Sequence, residues 1–161
     1  MNTTTITTPV GPLTIVATDA GAVRAAGFTD EVAALVGDTP TRPRPDLGEI
    51  TQAVHAYLAG DLTALDAVPV AQAGGGFLAE TWRALRETKP GERLTYTELA
   101  ARAGRPAVVR AAANACARNA AALFVPCHRI LRTDGGLGGY RWGVPVKRWL
   151  LDHEAGAQGW G

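Results

Sequence analysis

Three consecutive glycines, Gly74 to Gly76, separate two stretches of different hydrophobic period, and the chain is read as two lobes meeting there, residues 1–74 and 75–161. Before the glycines, TTTITTPVGPLTIVATDAGAVRAAGF alternates β-branched and apolar residues, with turn signals at Pro9, Gly11 and Asp19 to Gly21. That pattern predicts two or three antiparallel strands. A short helical piece near Glu31 to Val36 and a Pro-rich connector, GDTPTRPRPD, follow. Residues 47–59 place Ile50, Val54, Tyr57 and Leu58 at helical spacing, and Gly60 ends that helix. At 161 residues, 47% of them hydrophobic, there is material for one compact unit or two small lobes, and a long multidomain machine is excluded. No apolar run approaches the roughly 18 residues of a membrane span, and no basic segment followed by an apolar one opens the chain. The expectation is a soluble, unexported, cytoplasmic protein with no membrane partner. Cys116 and Cys127 cannot build a disulfide framework and sit in no zinc-type spacing, and His55 reads as a surface helix residue, so no structural metal is expected.

The half after the glycines is helical and basic. Residues 1–76 carry 3 Lys and Arg against 8 Asp and Glu, whereas residues 77–161 carry 13 against 7. A cationic lobe suits a nucleic-acid partner, although such asymmetry also arises by chance. FLAETWRALRET reads as a helix burying Phe77, Trp82 and Leu85 and closed by Pro90 and Gly91. Thr95 and Glu98 stand at capping-box spacing, which starts a second helix with Tyr96, Leu99, Ala100 and Ala103 along its apolar stripe. Gly104-Arg105-Pro106 breaks it, and a third helix is predicted from about Ala107 to Arg118. Wound up, this helix puts Val108, Ala112, Ala115, Cys116 and Asn119 on one face and Arg110, Asn114 and Arg118 on another. The pair is a helix-turn-helix candidate with a polar row for phosphates or bases. An Ala-rich helix packed inside with a solvated Arg/Asn face fits the same pattern.

Phe124 to Leu131, FVPCHRIL, carries the most suggestive chemistry: a buried strand or strand-like turn presenting a thiol beside an imidazole. Neighbours on a regular strand face opposite ways, so Cys127 and His128 would need a bend or a bridging water to cooperate. A small buried thiol beside a histidine satisfied by a backbone carbonyl is the plainer reading. The last helix, opened by Pro145 and closed by Gly156, is expected to pack Val146, Trp149, Leu150 and His153, with Glu154 at the border of that face. Glu154 would then pair with a histidine to complete a Cys/His/Glu relay that keeps one buried sulfur ionised, or with a surface cation such as Arg148.

The order of motifs goes further than any one of them. Trp82, Tyr96-x-x-Leu99-Ala100, Arg110-Ala111, Asn119, Pro126-Cys127-His128-Arg129, Gly138-Gly139-Tyr140-Arg141-Trp142-Gly143 and Lys147-x-x-Leu150-Leu151-x-x-Glu154 together resemble the 6-O-alkylguanine-DNA alkyltransferases from about Phe77 to Glu154. Thr8-Pro9-Val10-Gly11-Pro12 is similar to a segment of that family's N-terminal lobe. The resemblance implies an α+β fold: a ribonuclease-H-like N-terminal lobe with an antiparallel sheet, and a winged helix-turn-helix lobe for DNA binding and alkyl acceptance. It implies a single-turnover repair protein acting on double-stranded DNA that contains alkylated guanine, entered through the minor groove with the base flipped out. No cofactor is implied, and the protein is expected to be a monomer, with cooperativity on DNA left open.

By the same resemblance Cys127 accepts the alkyl group, His128 acts through a water as its base, and Glu154 orients His128. Arg110 fills the gap left by the base, Tyr96 rotates the nucleotide and protonates the leaving purine, and Asn119 braces the turn before Cys127. Asn114, Arg118 and Ala111 join the DNA-facing set. Tyr140 and the Gly-rich loop form a lid over an alkyl pocket to which Arg141, Trp82, Cys116 and Ile130 are also assigned. Three positions depart from the family pattern: Ala120 stands where Pro usually follows Asn119, Leu78 where Gln often follows Phe, and Arg141 where some members have a small residue. Rival readings are a lesion sensor without transfer, which lacks the thiol that Cys127 supplies; a cysteine hydrolase, for which adjacent Cys and His are oddly placed; and a winged-helix regulator that senses alkylation.

Overall fold

Thr8 turns the chain at the first hairpin: its hydroxyl donates to the Gly11 carbonyl at 2.6 Å and accepts from the Val10 amide at 3.2 Å. The hairpin joins β1 (Asn2–Thr8) to β2 (Gly11–Ala17), antiparallel, with Asn2 opposite Ala17 and Thr8 opposite Gly11. β3 (Val23–Gly27) adds to the other side of β2, again antiparallel. β2 is therefore central, and Leu13 to Ala17 are buried on both faces. Threonines inside the sheet keep their hydroxyls paired, Thr3 to the Ile15 carbonyl at 2.9 Å and Thr14 to that of Thr29 at 2.6 Å, as buried polar groups must. The computed structural model describes residues 1–156, so the last five residues of the expected 75–161 lobe lie outside the described residues.

A short helix, α1 (Ala33–Val36), precedes the Pro-rich connector. Part of that connector forms β4 (Arg42–Pro43), which pairs parallel to β1 and completes the order β3-β2-β1-β4. The Arg42 and Arg44 amides donate to the Met1 and Thr3 carbonyls at 2.8 Å, while Pro43, without a donor, takes the free side of an edge strand. α2 (Glu49–Leu58) buries Ile50, Val54 and Tyr57. These elements form one compact unit, Met1 to Ala73, which also contains Ala120 to Phe124. In that returning segment the Ala26 amide donates to the Ala120 carbonyl at 2.8 Å and the Ala122 amide to the Ala26 carbonyl at 3.0 Å. A single division at the glycines does not describe this excursion.

The second unit begins at Gly74 and, outside that segment, contains the rest of the chain. A β-carbon on Gly74 would stand 2.7 Å from two ring atoms of Trp82, and Gly76 caps α3 (Phe77–Glu87) at φ +59°, so both glycines are required where they stand. α3 buries Thr81, Trp82, Ala84 and Leu85. β5 (Leu94–Thr95) leads directly into α4 (Tyr96–Arg102) through a complete capping box: the Glu98 amide donates to Thr95 Oγ1 at 3.2 Å and the Thr95 amide to Glu98 Oε1 at 3.1 Å. α5 (Val109–Ala117) starts two residues later than its apolar pattern predicts. A 3-10 turn (Cys127–Arg129) runs into β6 (Ile130–Leu131), which pairs parallel to β5, and α6 (Val144–Ala155) closes the unit.

The phase of α6 differs from expectation. Lys147, Leu150, Leu151 and Glu154 form its buried face, whereas Val146, Trp149 and His153 are half-buried, with Trp149 and His153 stacked at 4.8 Å. Both charged residues have buried partners, described below, and those partners rotate the helix by about one residue from its hydropathy optimum.

Because the capping box sets the first turn of α4, Thr95→Ala should lower stability by about 0.5–2 kcal/mol, the range for losing an N-cap oxygen. Urea denaturation of the two chains would measure it, and equal midpoints would show that the cap does not hold α4.

Candidate active site: a buried Cys-His-Glu cluster

Cys127 opens a 3-10 turn rather than lying on a strand. Successive residues of such a turn advance by about 120°, so Cys127 and His128 diverge without facing opposite ways. His128 and Arg129 point inward, at 0% and 5% exposure, while Cys127 is half-buried. Leu123, four residues before Cys127, holds a left-handed backbone at φ +73°, unusual for a side chain of its size. Asn119, just beyond α5, braces the turn: its Nδ2 donates to the Val125 carbonyl at 2.8 Å and to Cys127 Sγ at 3.3 Å.

Glu154 on α6 reaches this turn. His128 Nε2 lies 2.8 Å from Glu154 Oε2, and Arg129 donates from Nε to Oε1 at 2.8 Å and from Nη2 to Oε2 at 3.2 Å. The other Arg129 nitrogen ties the cluster to the end of α3, donating to the Thr88 carbonyl at 2.8 Å and hydroxyl at 3.0 Å. Burial alone would raise the Glu154 carboxyl, but His128 and the hydrogen-bonding Arg129 outweigh it and hold the group well below the usual carboxylate range. An ionised carboxylate only accepts, so Nε2 of His128 carries the proton. Nδ1 of a neutral His128 is then the basic nitrogen, and it is buried with no hydrogen-bond partner among the described residues. Glu154 thus pairs with His128 and Arg129, not with Arg148.

Burial pushes the Cys127 thiol up, and the Asn119 hydrogen bond and the Lys147 charge offset this in part. Burial likewise raises Cys116 on α5, Tyr96 on α4 and Tyr140 in the loop before α6, and all three are sensitive to charge on Cys127. Tyr96 is half-buried as the first residue of α4, and the Tyr140 hydroxyl is buried with no hydrogen-bond partner among the described residues.

Arg110, Asn114 and Arg118 are all exposed along α5, Ala111 is half-buried, and Ala112 and Ala115 face inward. The residues assigned to an alkyl pocket lie on several elements. The Trp82 indole donates to the Ala115 carbonyl at 2.9 Å and its ring abuts Gly74, which makes it a tie between α3 and α5. Ile130 is fully buried in β6. Arg141 is exposed, its guanidinium 4.5 Å from the ring centre of Trp142. Cys116 is half-buried.

Residue-by-residue reading gave no role to Arg129 and Lys147. Lys147, 1% exposed, donates from Nζ to the Ile130 carbonyl at 2.6 Å. A signal existed: Lys147, Leu150, Leu151 and Glu154 are spaced i, i+3, i+4 and i+7, the mark of one helix face. A 480 Å³ hollow in the first unit, lined by residues such as Asn2, Asp19, Arg44 and Ile50, contains none of the candidate site residues. Among the described residues no cluster of His, Cys, Asp and Glu could hold a metal, and no helix is long and apolar enough to cross a membrane.

A mixed α/β fold whose helical lobe sets a half-buried cysteine beside a buried His-Glu pair narrows the class of protein. A family profile described as "6-O-methylguanine DNA methyltransferase, DNA binding domain" matches residues 76–156. The methylated-DNA--protein-cysteine methyltransferase of Shigella flexneri is 32% identical over 158 residues, covering 92% of each chain. The Mycobacterium tuberculosis OGT solved in complex with DNA superposes with a TM-score of 0.85 at 31% identity, over 96% of this chain and 93% of that one. The chain belongs to the 6-O-methylguanine DNA methyltransferase family. It also matches the bifunctional transcriptional activator/DNA repair enzyme Ada of Escherichia coli, at 48% identity over 88 residues, but spans only 25% of that protein's length.

Glu154→Gln tests the cluster. Holding the folded carboxyl below its ordinary value of 4.5 contributes stability that is fully present above about pH 4.5 and is lost as pH falls through the lowered folded value. The variant should lose about 3–5 kcal/mol at pH 7, as for a broken buried ion pair, and should show a shallower decline of stability below pH 4.5. Denaturation midpoints from pH 7 to 3 measure both, and an unchanged slope would rule out Glu154 as the group responsible.

Proposed function

We propose that this chain repairs DNA by moving the alkyl group of 6-O-alkylguanine onto Cys127 in a single turnover. The observation that carries the reading is the turn that places Cys127, hydrogen-bonded by Asn119, immediately before His128 and Arg129, both of which pair with the buried Glu154. Cysteine attacks as the thiolate, and burial disfavours that form, so the step needs a base. Nδ1 of His128 takes the proton by way of a water, and the imidazolium that forms is stabilised by the ionised Glu154. The Cys127 sulfur then attacks the alkyl carbon from the side opposite O6. The sulfur–carbon bond forms, the carbon–oxygen bond breaks, and its electron pair leaves with the purine. Tyr96, whose phenol burial keeps protonated, supplies the proton that the departing base needs. The thioether is a poor leaving group, so the protein is consumed.

Double-stranded DNA is the partner. Arg110, Asn114 and Arg118 form an exposed polar row on α5 that suits contact with the minor groove, with half-buried Ala111 allowing close approach of the helix backbone. Arg110 takes the place of the everted guanine. Tyr140 and the glycine-rich loop before it cover the alkyl pocket, and Cys116 lies beside it. Residues 1–74 serve as a ribonuclease-H-like scaffold, and residues 75–161 hold the DNA-binding and acceptor functions. The protein works as a monomer in the cytoplasm, a setting consistent with its two free cysteines.

Incubation with a duplex carrying 6-O-methylguanine should add one methyl per chain, located on Cys127 by intact mass and peptide mapping. Multiple turnovers, or a methyl on Cys116, would defeat the assignment. Arg110→Ala should slow repair of the duplex roughly 10- to 100-fold, as for about 1–3 kcal/mol of lost contact, and leave reaction with free 6-O-benzylguanine nearly unchanged. Equal losses on both substrates would remove Arg110 from base extrusion.

A further inference from the structure

Lys147 is a lysine almost without solvent contact, placed in the middle of the buried face of α6. Its Nζ donates to the Ile130 carbonyl at 2.6 Å and to the Gly139 carbonyl at 3.3 Å. Ile130 follows the turn that carries Cys127, and Gly139 immediately precedes Tyr140, so the nitrogen is held between the thiol-bearing turn and the proposed lid. Among the described residues it has no carboxylate within ion-pair distance; the buried carboxylate of the same helix, Glu154, is taken by His128 and Arg129. Carbonyl dipoles alone are weak compensation for a buried ammonium, which calls for a negative charge nearby. The groups able to supply one are the two thiols, since Lys147 is electrostatically coupled to both Cys127 and Cys116.

We propose that Lys147 is a positioning residue whose buried ammonium, together with the Asn119 amide, selects Cys127 over Cys116 as the sulfur that ionises. The proposal rests on Cys127 being the alkyl acceptor. Two favourable influences converge on Cys127, the Lys147 charge and the Asn119 Nδ2–H at 3.3 Å, whereas Cys116 has the charge without a side-chain hydrogen bond. The other titratable groups around the sulfur do not duplicate the cation. Tyr96 of α4, Cys116 of α5 and Tyr140 of the loop are neutral or become anionic, and His128 and Arg129 both bind the Glu154 carboxylate. Arg132, beyond β6, acts on Tyr96 and on Lys147 itself. Once Cys127 ionises, ammonium and thiolate stabilise each other. Any negative charge on Cys116 or Tyr140 is disfavoured at the same moment, which directs reaction to one atom.

The test is the pH dependence of alkylation by iodoacetamide, with peptide mapping to follow Cys127 and Cys116 separately, in the full chain and in Lys147→Met, Lys147→Gln and Lys147→Arg. Gln keeps a donor for the Ile130 carbonyl but removes the charge. Met and Gln should raise the Cys127 midpoint by at least one pH unit, which is roughly tenfold slower reaction at a fixed pH below it, and should narrow the preference for Cys127. Arg should stay near the unsubstituted chain. A Gln variant with an unshifted Cys127 midpoint would overturn the proposal and leave Lys147 only a hydrogen-bonding role. A reciprocal measurement needs no substitution at Lys147: its ammonium, followed by nitrogen NMR, should titrate at lower pH after Cys127 is carbamidomethylated, because coupling runs both ways. No change there would also overturn it. Failure of the unsubstituted chain to accept a methyl on Cys127 would strike the acceptor assignment, whereas intact transfer with an unshifted midpoint would strike Lys147 alone.

Discussion

One buried carboxylate organises the second unit. Glu154 receives His128 on one oxygen and Arg129 on both, and Arg129 in turn holds the end of α3 through Thr88. Three elements distant in sequence are thereby joined through a single ionised group. Such a cluster tolerates no missing member, because a lone buried charge is far more costly than the satisfied set. The same contacts decide the imidazole tautomer, so the arrangement that holds the turn in place also prepares its base.

The acceptor sulfur answers to opposing influences. Burial disfavours the Cys127 thiolate, while the Asn119 hydrogen bond and the Lys147 charge favour it; in the proposed transfer His128 takes the proton. A solvated thiolate would react sooner and less selectively. Burial also raises Tyr96, which in the proposed transfer keeps its phenol proton for the departing base. Desolvation, a penalty for the nucleophile, is thus an advantage for the acid.

Local chemistry made much of this readable. The β1–β2 hairpin followed from alternation and a Pro-containing turn, the start of α4 from the Thr95/Glu98 box, and α2 from its apolar spacing, since each depends on residues near one another in the chain. The Cys-His neighbourhood was visible as a motif, and of the strand and the strand-like turn that its residues allowed, the structure has a turn, of 3-10 type. β4 was hidden inside a Pro-rich connector because an edge strand of two residues leaves no periodicity to detect. Trp82 was readable as a buried helix residue, but its hydrogen bond to the Ala115 carbonyl and its packing on Gly74 were not.

α6 divides the two kinds of information most clearly. Sequence by itself determined that a helix runs there, that Pro145 starts it, that Gly156 ends it, and that Glu154 lies near its packed face. Only the tertiary structure decided which way the helix is rolled. Hydropathy alone turns Lys147 outward and leaves Glu154 at the edge of the packed face, because an isolated helix has no partner for either charge. The Ile130 carbonyl, His128 and Arg129 supply those partners from elsewhere in the chain, and their hydrogen bonds allow both residues to be buried.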